Sequence, residues 1–288
     1  MTSTDLKSHS KPKLGQNFLV DPNAMERIVN ALGDISQTTV VEIGPGRAAL
    51  TDLIALRAGR LIAVELDRVL AAQLRMKFTP VKNVEILEAD ILAVDFATVL
   101  GAQPGPLRDL RPTGLLRANV VGNLPYYITS DILLHLFRFH QRIDFIVVMV
   151  QLEVAERIAA SPGSSDYGIL SATAQMYGSV EQLFTLPPSA FSPPPKVHSA
   201  VLRIRIAPRF EELRVPEEDF ISFLRGIFAM KRKTLFNNLR DNYPQQAIRD
   251  ALAKAGLDAS IRAETMSLEQ TAALYRALHE SSVRSLAR

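Results

Sequence analysis

From Thr39 to Val150 the chain alternates unbroken apolar runs with stretches whose apolar residues recur every three or four positions. TVVEIG, LIAVEL, VEILEAD, RANVVGNL and DFIVVMV are candidate strands, and helical spacing fits at about 49–57, 68–77, 129–139 and 152–160. Runs of this kind, without polar alternation, suit parallel strands covered by helices on both faces. The β-α alternation therefore predicts a doubly wound α/β domain. Ahead of it, Asp21-Pro22 reads as a helix cap with proline in the first turn, Met25, Ile28, Val29 and Leu32 share a face, and Gly33 is the stop. After it, residues 168–178 read as helix, and SVEQLFTL and VHSAVLRIRI as two strands that suit an antiparallel pairing.

Beyond Ala207-Pro208 strand signals end, and helices fit near 217–229, 232–241, 245–255 and 267–279. The expected organisation is a basic amino-terminal arm at 1–20, an α/β domain at 21–207 and a smaller all-α domain at 208–288. The Pro/Gly-rich stretch 101–114, with Arg108 and Arg111, reads as a surface loop; solvation is its plain reading and an RNA contact the sharper one.

Composition narrows the chemistry. With 47% hydrophobic and 22% charged residues in 288, a packed core is expected. The absence of cysteine removes disulfides, thiolate metal sites and thiol nucleophiles. No apolar run is long enough to span a bilayer, and the first residues lack a secretory core, so a cytoplasmic location is expected, with neither membrane nor metal as partner. The net charge of +3 is a mild bias. Basic residues gather at Lys7, Lys11 and Lys13, at Arg203 and Arg205, and at Lys231, Arg232 and Lys233.

Gly44-Pro45-Gly46-Arg47-Ala48-Ala49 runs from a strand into a helix and satisfies the dinucleotide pattern, which alone fits NAD binding or merely a tight turn. Glu42, just before it, can organise the turn or meet a cationic ligand. Glu65 closes the second strand, where a carboxylate can accept ribose hydroxyls of NAD or of another adenosine cofactor. Asp90, closing the third strand, can accept from an adenine amine, which NAD leaves unexplained. After the fourth strand comes GNLPYYIT, residues 122–129. Adenine's exocyclic nitrogen is a poor nucleophile because its lone pair is delocalised into the ring. Methylating it from a sulfonium donor requires orientation rather than a strong base. The Asn123 side-chain oxygen and the Leu124 carbonyl can accept the two amine hydrogens, Pro125 stiffens the turn, and Tyr126 offers an aromatic face to an extruded base.

At these residues the chain resembles the ribosomal RNA adenine dimethyltransferases, and within them the small-subunit group. The resemblance runs from about Lys13 to the last helix, through GQNFLVDPN, EIGPG, VELD, EADIL, GNLPYYIT, QLEVAERI, FSPPPKVHSAV and KRKTLFNNL. It implies a Rossmann-like class I methyltransferase sheet, mostly parallel with one antiparallel strand. The implied cofactor is S-adenosylmethionine, and the implied substrate two adjacent adenosines near the 3′ end of 16S rRNA in a pre-30S particle, methylated by a monomer. It further implies that Asn17 and Leu19 close over the cofactor, that Gly44 lies beneath its amino-acid end, and that Glu65 binds its ribose and Asp90 its adenine. Asn123 would touch both cofactor and target, and Phe191 would sandwich the base against Tyr126. Ala48, Tyr127 and His198 depart from the family pattern, which usually has glycine, a smaller polar residue and aspartate there.

KRKTLFNNLR is placed on a predicted helix, where Lys231, Arg232, Lys233 and Arg240 could track phosphates or simply form a solvated face. Two rival functions share much of this pattern. One is the macrolide-resistance 23S rRNA adenine methyltransferases; the other is an assembly or transcription factor that keeps the fold. An NAD-dependent oxidoreductase would leave residues 123–126 unexplained.

Overall fold

The computed structural model describes residues 17–101, 116–230 and 233–286, with side chains described to residue 280. The amino-terminal lysines, the Arg108/Arg111 segment, Lys231 and Arg232 lie outside the described residues. In chain order the strands are β1 (Phe18–Leu19), β2 (Thr39–Ile43), β3 (Arg60–Glu65), β4 (Val84–Glu88), β5 (Ala118–Asn123), β6 (Ile143–Gln151), β7 (Gly178–Leu186), β8 (Phe191–Ser192) and β9 (Ser199–Ile206). Among and after them lie helices α1 (Pro22–Asn30), α2 (Thr51–Ala55), α3 (Arg68–Phe78), α4 (Phe96–Gly101), α5 (Thr129–Arg138), α6 (Leu152–Ala159) and α7 (Ile169–Tyr177). The chain closes with α8 (Phe210–Leu213), α9 (Glu217–Ile227), α10 (Leu235–Leu239), α11 (Gln245–Lys254) and α12 (Leu268–Leu286).

Seven strands form one sheet in the order β4-β3-β2-β5-β6-β9-β7. Strands β2 to β6 pair in parallel, whereas β9 runs antiparallel to both its neighbours. The single reversed strand and the parallel remainder match the expected methyltransferase sheet. Val40, Leu61, Ile62, Val120, Val121, Ile146 and Val148 are fully buried, as unbroken apolar strands require when both faces are covered. Each such side chain contributes ~1.5–3 kcal/mol by leaving water. The strand order reverses between β2 and β5, so the carboxyl ends of these two strands splay around a crevice, the favoured ligand position in sheets of this kind.

Helix α1 starts as its sequence dictates: the Asp21 carboxylate accepts from the Asn23 and Ala24 N–H groups at 2.9 and 3.2 Å, and Gly33 leaves the helix end at φ +73°. After β9 the chain is helical. The apolar cluster continues without a break from sheet residues such as Val148 and Ile204 into Phe220, Leu224, Ile248, Leu252 and Leu274.

Three features were not anticipated. The two-residue strands β1 and β8 pair antiparallel, Leu19 opposite Phe191, and tie the amino-terminal segment to the 187–198 loop. Helices α4 and α8 are too short to show a period. Helix α10 spans only Leu235–Leu239, not 232–241, because the Thr234 hydroxyl accepts from the Asn237 N–H at 3.4 Å and starts the helix there. Lys233 therefore precedes the helix and Arg240 stands at its C-cap, so these two do not share one helical face.

Gly178 is where α7 meets β7, and a Cβ there would lie 2.1 Å from the Arg205 carbonyl oxygen on β9. Backbone on both sides cannot yield as a side chain can. Gly178→Ala is expected to cost about 3 kcal/mol and lower the thermal midpoint by several degrees. An unchanged midpoint in calorimetry would contradict this packing.

Candidate active site

A cavity of about 270 Å³ opens at the carboxyl ends of β2, β3 and β5. It is lined by the glycine turn, by Asn17 to Leu19, by Glu42, Glu65 and Asp90, and by Asn123 to Ile128. The turn is unusual in backbone shape. Gly44, Gly46 and Ala48 have φ of +65°, +57° and +70°. Glycine adopts this region freely, and at Gly46 a Cβ would also press on the Phe18 ring at 3.0 Å. Ala48 does not adopt it freely, at a cost of ~1–2 kcal/mol. Its methyl is buried against Leu74 and Phe78, which returns ~0.8 kcal/mol, and alanine loses ~0.4–1 kcal/mol less chain freedom than glycine. The two sides nearly cancel, so the missing third glycine leaves the turn intact.

Glu65 is buried and holds the turn from below. Its Oε2 accepts from the Gly46 N–H at 3.0 Å and its Oε1 from the Asp67 N–H at 2.9 Å. Each oxygen keeps a further lone pair for a ligand hydroxyl. Asp90 is exposed at the rim, with Oδ1 accepting from the Leu92 N–H at 2.9 Å. Glu42 is buried on β2, and its Oε2 has no hydrogen-bond partner among the described residues. Burial pushes its pKa up from 4.5 to about 8, and the Asp52 and Glu65 carboxylates push the same way. The Thr51 hydroxyl opposes this, although it makes no hydrogen bond of its own.

Asn123 ends β5, and its Nδ2 donates to the Asn17 backbone oxygen at 2.9 Å. The carboxamide oxygen is thereby left as the acceptor. Leu124 is buried and anchored by its N–H to the Met149 carbonyl at 3.0 Å. The Pro125 oxygen accepts from the Ile128 N–H at 3.3 Å and the Thr129 hydroxyl at 3.1 Å, which locks the turn. The Tyr126 and Ser199 hydroxyls share a hydrogen bond of 2.9 Å. Ser199 was not anticipated, yet it carried a signal. It opens β9 at a buried position, and a buried hydroxyl requires a partner.

Asn17, Leu19, Gly44, Glu65, Asp90 and residues 123–126 thus converge on one cavity. Phe191 does not join them. Its ring is only 3% exposed and packs with Leu19, Leu186, Ala190 and Val201, because β1 pairing on β8 sets Leu19 against it and burying so large a ring is favourable. The exposed ring at the mouth is Tyr127, at 66%. His198 is exposed and absent from the lining, so that departure does not reshape the cavity. Among the described residues no cluster of three or more metal-ligating side chains occurs.

The residues fit an adenosine cofactor with a cationic, amino-acid-bearing tail. Glu65 keeps lone pairs for ligand hydroxyls, the unpartnered Glu42 oxygen suits a cation, and glycine backbone leaves room beside Asn123. Comparison with known proteins decides the family. The ribosomal RNA adenine dimethylase family matches residues 7–280. The chain belongs to that family. A "Ribosomal RNA small subunit methyltransferase A" of Koribacter versatilis is 61% identical over 274 residues, covering 95% of this chain and 96% of that protein. A protein of the same name from Acidobacterium capsulatum is 54% identical, covering 94% and 92%. Among solved structures, a dimethyladenosine transferase from Plasmodium falciparum shares the fold at TM-score 0.76 and 21% identity, over 92% of this chain and 98% of that one. The 23S rRNA methyltransferase ErmE aligns at TM-score 0.64 and 27% identity, over 91% and 100%. The family is S-adenosylmethionine-dependent, and the chain is an rRNA adenine dimethyltransferase.

Glu42 makes stability depend on pH. Between about pH 4.5 and pH 8 the unfolded chain has released this proton while the folded one keeps it, so stability falls as pH rises through that window. Glu42→Gln removes the effect. Its thermal midpoint is expected to gain on the wild type between about pH 5 and about pH 8; a constant difference across that range would contradict the burial argument.

Proposed function

We propose that this chain dimethylates the N6 amines of adenosines in small-subunit (16S) rRNA, and that Asn123 and Leu124 perform the orienting step. The observation that supports this most is the Asn123 Nδ2 bond to the Asn17 oxygen, which leaves the carboxamide oxygen of this cavity-lining residue as the acceptor. S-adenosylmethionine supplies the methyl group on an activated sulfonium. The protein's part is to hold the amine in line with it. The Asn123 oxygen and the Leu124 carbonyl accept the two amine hydrogens, which favours a localised lone pair and stabilises the positive charge that develops on nitrogen. The N–CH3 bond forms as the S–CH3 bond breaks, leaving S-adenosylhomocysteine, and the methylated amine gives up one proton to water; one hydrogen then remains, so one acceptor still holds the amine while the other is released. The Tyr126 ring, steadied by Ser199, faces the base.

Around this centre we assign Glu65 to the cofactor ribose, Asp90 to its adenine amine, Gly44 to its amino-acid end, and Asn17 and Leu19 to closing over it. The cradle of positive-φ glycines and the convergent acids support these roles. The segment 208–288 is proposed as an RNA-recognising domain, with exposed Lys233 and Arg240 as phosphate contacts beside Lys231 and Arg232. Site choice needs such a surface because base chemistry alone cannot select one adenosine. We further propose that the enzyme acts as a monomer on a pre-30S particle in the cytoplasm; among the described residues no helix is long and apolar enough to cross a membrane. The two small-subunit relatives, above 50% identical, favour 16S over 23S RNA as substrate.

Asn123→Ala is expected to lower methyl transfer by at least ~10²-fold with an unchanged thermal midpoint. The assay is nucleoside mass spectrometry after incubation with unmethylated small subunits or with large-subunit RNA. Near-normal turnover by the variant would overturn the mechanism, and dimethyladenosine in large-subunit RNA alone would overturn the substrate.

A further inference from the structure

The lining of the cavity is unbalanced in charge. Glu65 and Asp90 supply two carboxylates, Glu42 adds a carboxyl that burial keeps protonated up to about pH 8, and Arg47 is the one basic side chain among the described lining residues. Three of the turn's backbone N–H groups are already taken. The Gly44 N–H donates to the Val64 oxygen at 2.9 Å, the Gly46 N–H to Glu65 at 3.0 Å, and the Ala48 N–H to the Pro45 oxygen at 2.9 Å. Pro45 has no N–H at all. An amino-acid tail carries a carboxylate as well as an ammonium, and an acidic wall would repel the former.

Arg47 is exposed, and its guanidinium carbon lies 4.4 Å from the centre of the Phe18 ring. No carboxylate among the described residues pairs with it. Stacking on a ring uses the guanidinium's face and leaves its N–H edge free in the plane, the geometry that receives a carboxylate in a fork. Phe18 in turn rests on Gly46, so the ring fixes the guanidinium beside the glycine turn.

We propose that Arg47 binds the α-carboxylate of the cofactor's amino-acid tail, making Phe18 a positioning residue for that contact. This rests on reading the cavity as the S-adenosylmethionine site. It assigns the anionic end of the cofactor, which Glu65, Asp90 and Gly44 leave unmatched. Because Arg47 is exposed, the contact is screened by salt.

The test is calorimetric titration with S-adenosylhomocysteine and with 5′-methylthioadenosine, which keeps the nucleoside and thioether but lacks the amino-acid tail. Arg47→Met keeps contact with Phe18 and removes the charge. It is expected to weaken S-adenosylhomocysteine about three- to tenfold, to abolish the salt dependence of that affinity, and to leave 5′-methylthioadenosine unchanged. Arg47→Lys is expected to restore part of the loss. Unchanged S-adenosylhomocysteine affinity with a raised KM for RNA would overturn the inference and give Arg47 to an RNA phosphate. Equal weakening of both ligands would also overturn it, because the loss would then lie in the shape of the turn. Failure of either ligand to bind the wild type would instead remove the cavity assignment itself.

Discussion

The proposed chemistry depends on one hydrogen bond: the Asn123 amide nitrogen donates to the backbone oxygen of Asn17. A carboxamide can present either a donor or an acceptor, and only the acceptor can hold an amine whose lone pair must remain free. By occupying the nitrogen, Asn17 chooses the oxygen. The same bond ties the end of β5 to the amino-terminal segment, so in the proposed mechanism chain closure and amine orientation are one event. The segment is held in turn by the β1–β8 pairing and by the Val20 N–H on the Ala190 oxygen at 2.8 Å.

The parallel sheet makes that contact possible by placing β2 and β5 side by side at the point where strand order reverses. Gly122 permits the approach, since a Cβ there would lie 2.6 Å from the Ile43 oxygen. The buried acids then divide their work. Glu65 spends its inner lone pairs on the turn, whereas Glu42 keeps an oxygen without a partner and holds its proton to about pH 8. A cation entering beside Glu42 would relieve that burial cost, and Arg47 offers the opposite charge at the mouth.

The strands were legible in the sequence because burial on both faces writes them as continuous Val/Ile/Leu runs. The Asp21 cap and Gly33 stop were legible because each has a single mechanical use. Most of the site was legible too, since its residues sit at strand ends where the pattern breaks. The two-residue pairing of β1 with β8 was not, because two residues show no period and the partners are far apart in the chain. That pairing also buries Phe191, which a linear reading places as a base platform. The start of α10 follows from one hydroxyl, Thr234, which accepts from the Asn237 N–H and caps the helix. The sequence marks Ser199 as a hydroxyl in an apolar strand, but its partner Tyr126 lies 73 residues away and shows only in the fold.

The most direct measurement is single-turnover methylation of small subunits by Asn123→Asp. Aspartate keeps an acceptor oxygen but has no N–H for the Asn17 carbonyl. Turnover is expected to fall nearly to the level of an alanine at this position, together with weakened S-adenosylhomocysteine binding, because the amino-terminal segment is no longer held. Turnover near the wild-type rate, with cofactor affinity intact, would contradict it.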